Sequence, residues 1–152
     1  MQVKELGHIV LYVRNVERSA AFYRNVLGWK QLQTSGNGPL GRLPVALFSS
    51  GRTHHELLLI EVGEHAQPQP QGRHLGLYHF GLKVGDSDDE LRDAVTRVQE
   101  AGVPIVGMSD HTVSHSLYIL DPDGNEIELY VDVPGVEWDL EHVMAPVKAL
   151  AL

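Results

Sequence analysis

The sequence predicts an α+β fold in which two βαβββ modules form a curled mixed sheet, a half-barrel around a cavity. Three observations predict it. A strand, a helix and three further strands follow one another twice along the chain; His8 and His79 hold the same place in the two opening strands; and Glu126 and Glu128 lie on one face of the strand that closes the second copy. A length of 152 residues and an apolar fraction of 43% suit one hydrophobic core, so a single domain over 1–152 is expected. Within it, module one runs from about 5 to 63, module two from about 76 to 132, and a C-terminal tail covers 133–152.

The first module opens with Gly7-His8-Ile9-Val10-Leu11-Tyr12-Val13, a strand rich in β-branched and aromatic residues. Asn15 then caps a helix running through Ala20, Phe22 and Leu27, which Gly28 ends. Strands are expected at 29–34, 43–49 and 55–62, with turns at 35–39 and at Ser50-Gly51. After a Pro/Gln/Gly stretch at 67–72, Tyr78-His79-Phe80-Gly81-Leu82-Lys83-Val84 restarts the series. A helix with apolar positions Leu91, Val95 and Val98 follows and stops at Gly102. The last strands fall at 105–108, 116–120 and 126–131, the final pair joined by the turn Asp121-Pro122-Asp123-Gly124. Beyond Asp132 the apolar tail, with Trp138 and residues 145–152, is expected to pack on the domain or on a second subunit.

Composition excludes several functions. With 12 Lys and Arg against 20 Asp and Glu, the net charge of -8 repels a phosphate backbone, and no basic cluster offsets it, so nucleic acid is not an expected partner. Neither an export signal nor an apolar run of membrane-spanning length is read, and cysteine is absent, which fits a cytoplasmic protein that does not engage a membrane. Without thiolates, a metal must be held by histidine and carboxylate, and nine histidines are many for this length.

Aligning His8 with His79 also aligns Val13 with Val84, so two sheets related by a pseudo-twofold axis would bring both imidazoles to one cavity. A lone strand histidine is as readily a hydrogen-bonded core residue, and Glu128 alone as readily a salt-bridged one. Together they read differently. An ionised glutamate among the apolar residues 127–129 costs several kcal/mol unless neutralised, and His8, His79 and Glu128 on one cation supply that neutralisation. Two imidazoles and one carboxylate leave coordination positions open, the facial arrangement of non-haem Fe(II) oxygenases; Zn²⁺ accepts the same donors.

These residues resemble the vicinal oxygen chelate superfamily, which contains glyoxalase I, extradiol dioxygenases, fosfomycin-modifying enzymes and bleomycin-resistance proteins. The resemblance covers residues 5 to about 132. It rests on the His8 strand followed by Ser19-Ala20-Ala21-Phe22-Tyr23 and Val26-Leu27-Gly28-Trp29, and on Asp121-Pro122-Asp123-Gly124-Asn125-Glu126-Ile127-Glu128-Leu129. The segment from His111 through Tyr118 to Pro122 is similar to the extradiol signature, in which a histidine, a spacer and an apolar residue precede tyrosine and the Asp-Pro turn; Ser109 departs from it. His54-His55-Glu56-Leu57 is similar to the segment that supplies the acid/base histidine in those enzymes, with Glu56 where a smaller polar or acidic residue is more familiar.

The resemblance implies a catechol 2,3-dioxygenase-like enzyme, cleaving a small aromatic diol with dioxygen. Fe(II) would be held by His8, His79 and Glu128, a set that Mn(II), Zn(II) or Ni(II) also suits. His55 would be the acid/base, His111 and Tyr118 would bind the substrate oxygens, and the chain would form a homodimer. Two alternatives share the fold: a glyoxalase-like isomerase or lyase, and a drug-sequestering resistance protein. Glyoxalase I-like enzymes use a fourth ligand, a glutamate closing the first module. Leu58 stands near that position, with Glu56 and Glu61 close by.

Overall fold

The computed structural model describes residues 1–34, 43–70, 72–136 and 138–152. The turn expected at 35–39 therefore lies outside the described residues. The chain divides into two units, Met1–Gln69 and Pro70–Leu152, each carrying one module.

In the first unit, strand β1 (Ile9–Val13) leads into helix α1 (Val16–Ala21), and β2 (Gln31–Thr34), β3 (Val45–Phe48) and β4 (Leu57–Glu61) follow. The sheet is open and mixed, in the order β1-β4-β3-β2, with β1 parallel to β4 and the other pairs antiparallel. Period-two alternation sends Leu11, Val13, Leu57, Leu59 and Phe48 to a buried face, while Val10 and Tyr12 remain exposed on the opposite one. Asn15 caps α1 as expected, its side chain accepting from Arg18 N at 2.9 Å, and Glu61 Oε2 accepts from Val16 N at 2.9 Å. The helix does not run on as an α-helix to Leu27. It widens into a π turn over Phe22–Val26, where Leu27 N bonds to Phe22 O and both Phe22 and Tyr23 are buried. Tyr23, fully buried, packs on Phe22, Trp29 and Phe48 at centroid separations of 5.1, 6.4 and 5.9 Å.

In the second unit, β5 (His79–Gly85) leads into helix α2 (Asp88–Glu100), then β6 (Ile105–Asp110), β7 (Ser114–Leu120) and β8 (Glu126–Asp132). Helix α2 starts at a capping box: Ser87 Oγ accepts from Glu90 N, while Glu90 Oε2 accepts from Asp86 N at 2.8 Å and from Ser87 Oγ at 2.9 Å. A Cβ on Gly85 would come within 2.6 Å of Glu90, so glycine is what lets this box close. Buried Leu91 and Val98 turn to the sheet's apolar face, formed by Phe80, Leu117, Ile119, Ile127, Leu129 and Val131. The tail adds a short helix α3 (Leu140–Val143) and strand β9 (Lys148–Ala149), which pairs with β6 and extends the order to β5-β8-β7-β6-β9. The tail thus packs on its own module through a sheet edge. Both units are βαβββ modules, and the fold class is α+β. No described helix is long and apolar enough to cross a membrane.

Candidate active site

The turn that launches β8 fixes the carboxylates. Asp121, itself buried, accepts from Asp123 N at 2.9 Å and Asn125 N at 2.8 Å through Oδ1, and from Asn125 Nδ2 at 2.8 Å through Oδ2. With φ +87 at Gly124, the chain reverses into β8 with its register determined. That register pairs His79 with Glu126 and Gly81 with Glu128 on β5, and Tyr118 with Glu128 on β7. One polar face therefore carries His79, Glu126, Glu128, Tyr130, Ser116 and Tyr118, opposite the apolar face covered by α2.

Glu128 is held from one side. Ser116 Oγ donates to its Oε1 at 2.6 Å and Tyr118 OH donates to the same oxygen at 2.9 Å. Its other oxygen, Oε2, faces His79 Nε2 at 3.3 Å. His111 Nε2 lies 2.7 Å from Tyr118 OH, completing a chain from imidazole through phenol to carboxylate. Burial, then the bond to Glu128 and its charge, push the Tyr118 phenol above its ordinary value, so it remains a proton donor. A Cβ at Gly81 would stand 3.6 Å from Glu128 Oε2 and 3.3 Å from the Tyr130 ring, so glycine keeps the space beside this oxygen clear.

His79 Nδ1 is buried without a hydrogen-bond partner, 3.5 Å from Glu126 Oε1. A metal on Nε2 would leave Nδ1 carrying the proton and aimed at that carboxylate, the outer-shell arrangement that orients ligating histidines. The donors therefore suit a borderline divalent cation. Within either unit, among the described residues, no three His, Asp or Glu side chains gather closely enough to hold one. A full ligand set thus needs a donor beyond the His79 and Glu128 pair.

In the first unit, His8 is exposed and immediately precedes β1, rather than lying within the strand as expected; the ladder begins at Ile9, whose N–H bonds to Glu56 O at 2.9 Å. Its ring sits 4.7 Å from that of His55, and His55 Nδ1 is 2.6 Å from His54 Nδ1, so one of that pair presents a proton to the other's lone pair. Burial, then the charges of His54 and His8, hold the His55 imidazole below its ordinary value. Neutral His55 is a base at neutral pH.

The register decides a second question. Val10 pairs with Leu58 as Gly81 pairs with Glu128, so Leu58 is the counterpart of Glu128. Glu56 and Glu61 are engaged elsewhere: Glu56 accepts from Ser50 N at 2.5 Å and Arg52 Nε at 2.9 Å, and Glu61 caps α1. The remaining histidines have local partners or lie in loops. His115 ties β7 to the start of α2 through Asp88 at 2.6 Å, His142 bonds to Asp139 at 2.7 Å, and His74 to Gly72 O at 2.9 Å, while His65 is exposed. Sequence reading missed Ser116 as a partner of Glu128, although its spacing of two from Tyr118 on a strand puts both on one face. It missed Arg52 entirely, for which a loop offers no periodic signal.

Residues 5–129 match the Glyoxalase/Bleomycin resistance protein/Dioxygenase superfamily. The chain belongs to this superfamily. Over 133 residues it is 38% identical to catechol-2,3-dioxygenase of Bacillus subtilis (strain 168), an alignment covering 88% of this chain and 43% of that protein. The chain therefore spans less than half the length of that relative. It is 32% identical over 127 residues to a lactoylglutathione lyase of Neisseria meningitidis, covering 81% of this chain and 87% of the lyase. Among solved structures, a glyoxylase/bleomycin resistance protein/dioxygenase domain from Frankia sp. EAN1pec superposes with a TM-score of 0.70 at 20% identity, covering 87% of this chain and 100% of that one. At that identity the likeness speaks for the fold. Superfamily membership agrees with the duplicated module and with the family named on the His8 and Glu128 motifs.

Proposed function

We propose that this superfamily member is an Fe(II)-dependent extradiol dioxygenase, with the two modules acting as one domain in which His8, His79 and Glu128 hold the metal. The observation that carries the reading is the chain from His111 through Tyr118 to Glu128, with His79 beside the free side of the carboxylate. The 38% identity to a catechol-2,3-dioxygenase supports the reaction class. The cation, when bound, would supply a Lewis-acidic centre for the two vicinal oxygens of a catechol and for dioxygen.

The chain's own residues perform the proton work. His55, held neutral, takes a proton from the incoming diol and returns it later. When the diol binds, Tyr118, kept protonated, turns its one phenolic proton from Glu128 to a substrate oxygen, and His111 turns its Nε2 proton from the phenol to a substrate oxygen, stabilising charge that grows as the ring opens. Both oxygen atoms of dioxygen enter the product as the ring carbon–carbon bond beside the diol breaks, so no external reductant is required. Leu58 in place of a carboxylate favours this three-ligand reading over a four-ligand isomerase, because it leaves room for substrate and dioxygen together.

The test is anaerobic reconstitution with Fe(II), addition of catechol or 2,3-dihydroxybiphenyl, then oxygen uptake and the appearance of a yellow product. Rapid uptake with colour is expected, and Glu128→Ala is expected to lose metal and turnover together. Iron-loaded protein that consumes no oxygen with either diol would overturn the reading and leave the lyase, which stoichiometric binding without turnover would in turn separate from a sequestering protein.

A further inference from the structure

Arg52 has no place in the chemistry just described, yet its guanidinium joins two separate segments of the first module, residues 5–7 and Glu56. Nε donates to Glu56 Oε1 at 2.9 Å, Nη1 to Glu5 Oε2 at 3.0 Å, and Nη2 to the carbonyls of Leu6 at 3.2 Å and Gly7 at 3.3 Å. The two carbonyls belong to the residues directly before His8, and Glu56 directly follows His55. Glu56 is itself fastened to the loop by Ser50 N at 2.5 Å and Ser49 Oγ at 3.4 Å, so the clamp has a fixed end. Across it, the His8 and His55 rings stand 4.7 Å apart. Because β1 begins only at Ile9, residues 5–8 precede its ladder, and Arg52 ties residues 5–7 down.

We propose that Arg52 is the positioning residue of the first module: it holds His8 and His55 in the mutual geometry that metal binding and proton transfer need. The inference rests on the reading in which His8 is a ligand and His55 the acid/base. Only a planar fork with several fixed donors reaches two carboxylates and two adjacent carbonyls at once; an ammonium at this place cannot. The pairing also accounts for Glu56, whose departure from the related His-His segments supplies the anchor for Arg52.

The test measures Mn(II) affinity by titration calorimetry, and thermal melting of metal-free protein, in wild type, Arg52→Met, Arg52→Lys, His8→Ala and Asn15→Ala. Loss of a group that orients a ligand lowers metal affinity by roughly 10- to 100-fold. Arg52→Met is expected in that range, with Arg52→Lys recovering only a small part. Asn15→Ala, which removes the α1 cap in the same unit, is expected to lower the melting temperature and leave affinity unchanged, so a loss of fold alone is recognisable. If Arg52→Lys is folded and binds Mn(II) within twofold of wild type while His8→Ala has lost the metal, the positioning role is overturned. If His8→Ala binds as wild type does, the ligand reading fails instead.

Discussion

Ser116 offers the sharpest test of how the carboxylate face is built. Its hydroxyl is fully buried and donates to Glu128 Oε1 at 2.6 Å, within the range of a short charge-assisted bond. Hydrogen bonds to charged groups contribute about 1.5–3 kcal/mol. Ser116→Ala should therefore destabilise the metal-free protein by about 2 kcal/mol, since Tyr118 alone then satisfies that oxygen. For a chain of this size such a loss lowers the melting temperature by about 4–8 °C. The decisive background is Glu128→Leu, which copies the residue that module one carries at the equivalent place. There the serine has lost its acceptor, and replacing both members of a buried pair by apolar groups is close to neutral. Urea unfolding of the four proteins in the cycle should give a coupling above about 1 kcal/mol, outside the additivity expected of independent sites. A cost for Ser116→Ala that is equal in both backgrounds would refute the argument and reduce Ser116 to a packing residue.

Three further outcomes follow from the same geometry. Tyr118→Phe removes a donor that orients Glu128 and, on the proposed reading, turns to substrate; Mn(II) affinity should fall by roughly 10- to 100-fold, and turnover of the metal-loaded protein should fall by about 100-fold or more in an oxygen-electrode assay. On the proposed three-ligand reading, Leu58→Glu should tighten Mn(II) binding and suppress any oxygen-dependent cleavage by adding a fourth carboxylate donor; unchanged affinity in calorimetry would show that Leu58 does not face the metal. Desolvation raises the Glu56 carboxyl, but the bonds from Ser50 and Arg52 outweigh it and hold its pKa below the ordinary glutamate value. A depressed carboxyl adds stability that is complete above its unfolded pKa and is lost as pH falls through the folded one. Glu56→Gln should accordingly be less stable than wild type at neutral pH, with the gap closing on acidification below about pH 4 in pH-dependent denaturation.

Much of this protein was legible before any coordinates. The helix cap at Asn15, the glycines that end helices, and the Asp121 to Asn125 turn act within a few residues, so local chemistry alone announces them; the Ser87 cap is equally local but was found only in the structure. Strand alternation did the same for the face shared by Glu126 and Glu128, and repetition of the module exposed the equivalence of His8 and His79. Other features depend on contacts between segments far apart in sequence. The π turn at Phe22–Val26 carries two adjacent buried aromatics, and Tyr23 packs there on Phe48 of β3, a contact no local pattern announces. The edge pairing of Lys148–Ala149 with β6 needed a free strand edge to receive it.

The sequence by itself determined the duplicated α+β architecture, the kinds of donor available to a metal, and the residues worth testing, because periodicity and turn chemistry are short-range properties. Only the tertiary structure decided that Leu58 rather than Glu56 or Glu61 is the counterpart of Glu128, that Ser116 and Tyr118 share one oxygen of that carboxylate, and that Arg52 secures the approach to His8. Register between paired strands and the reach of a long side chain across a loop are set by packing, and a shift of one residue would reverse each of those assignments.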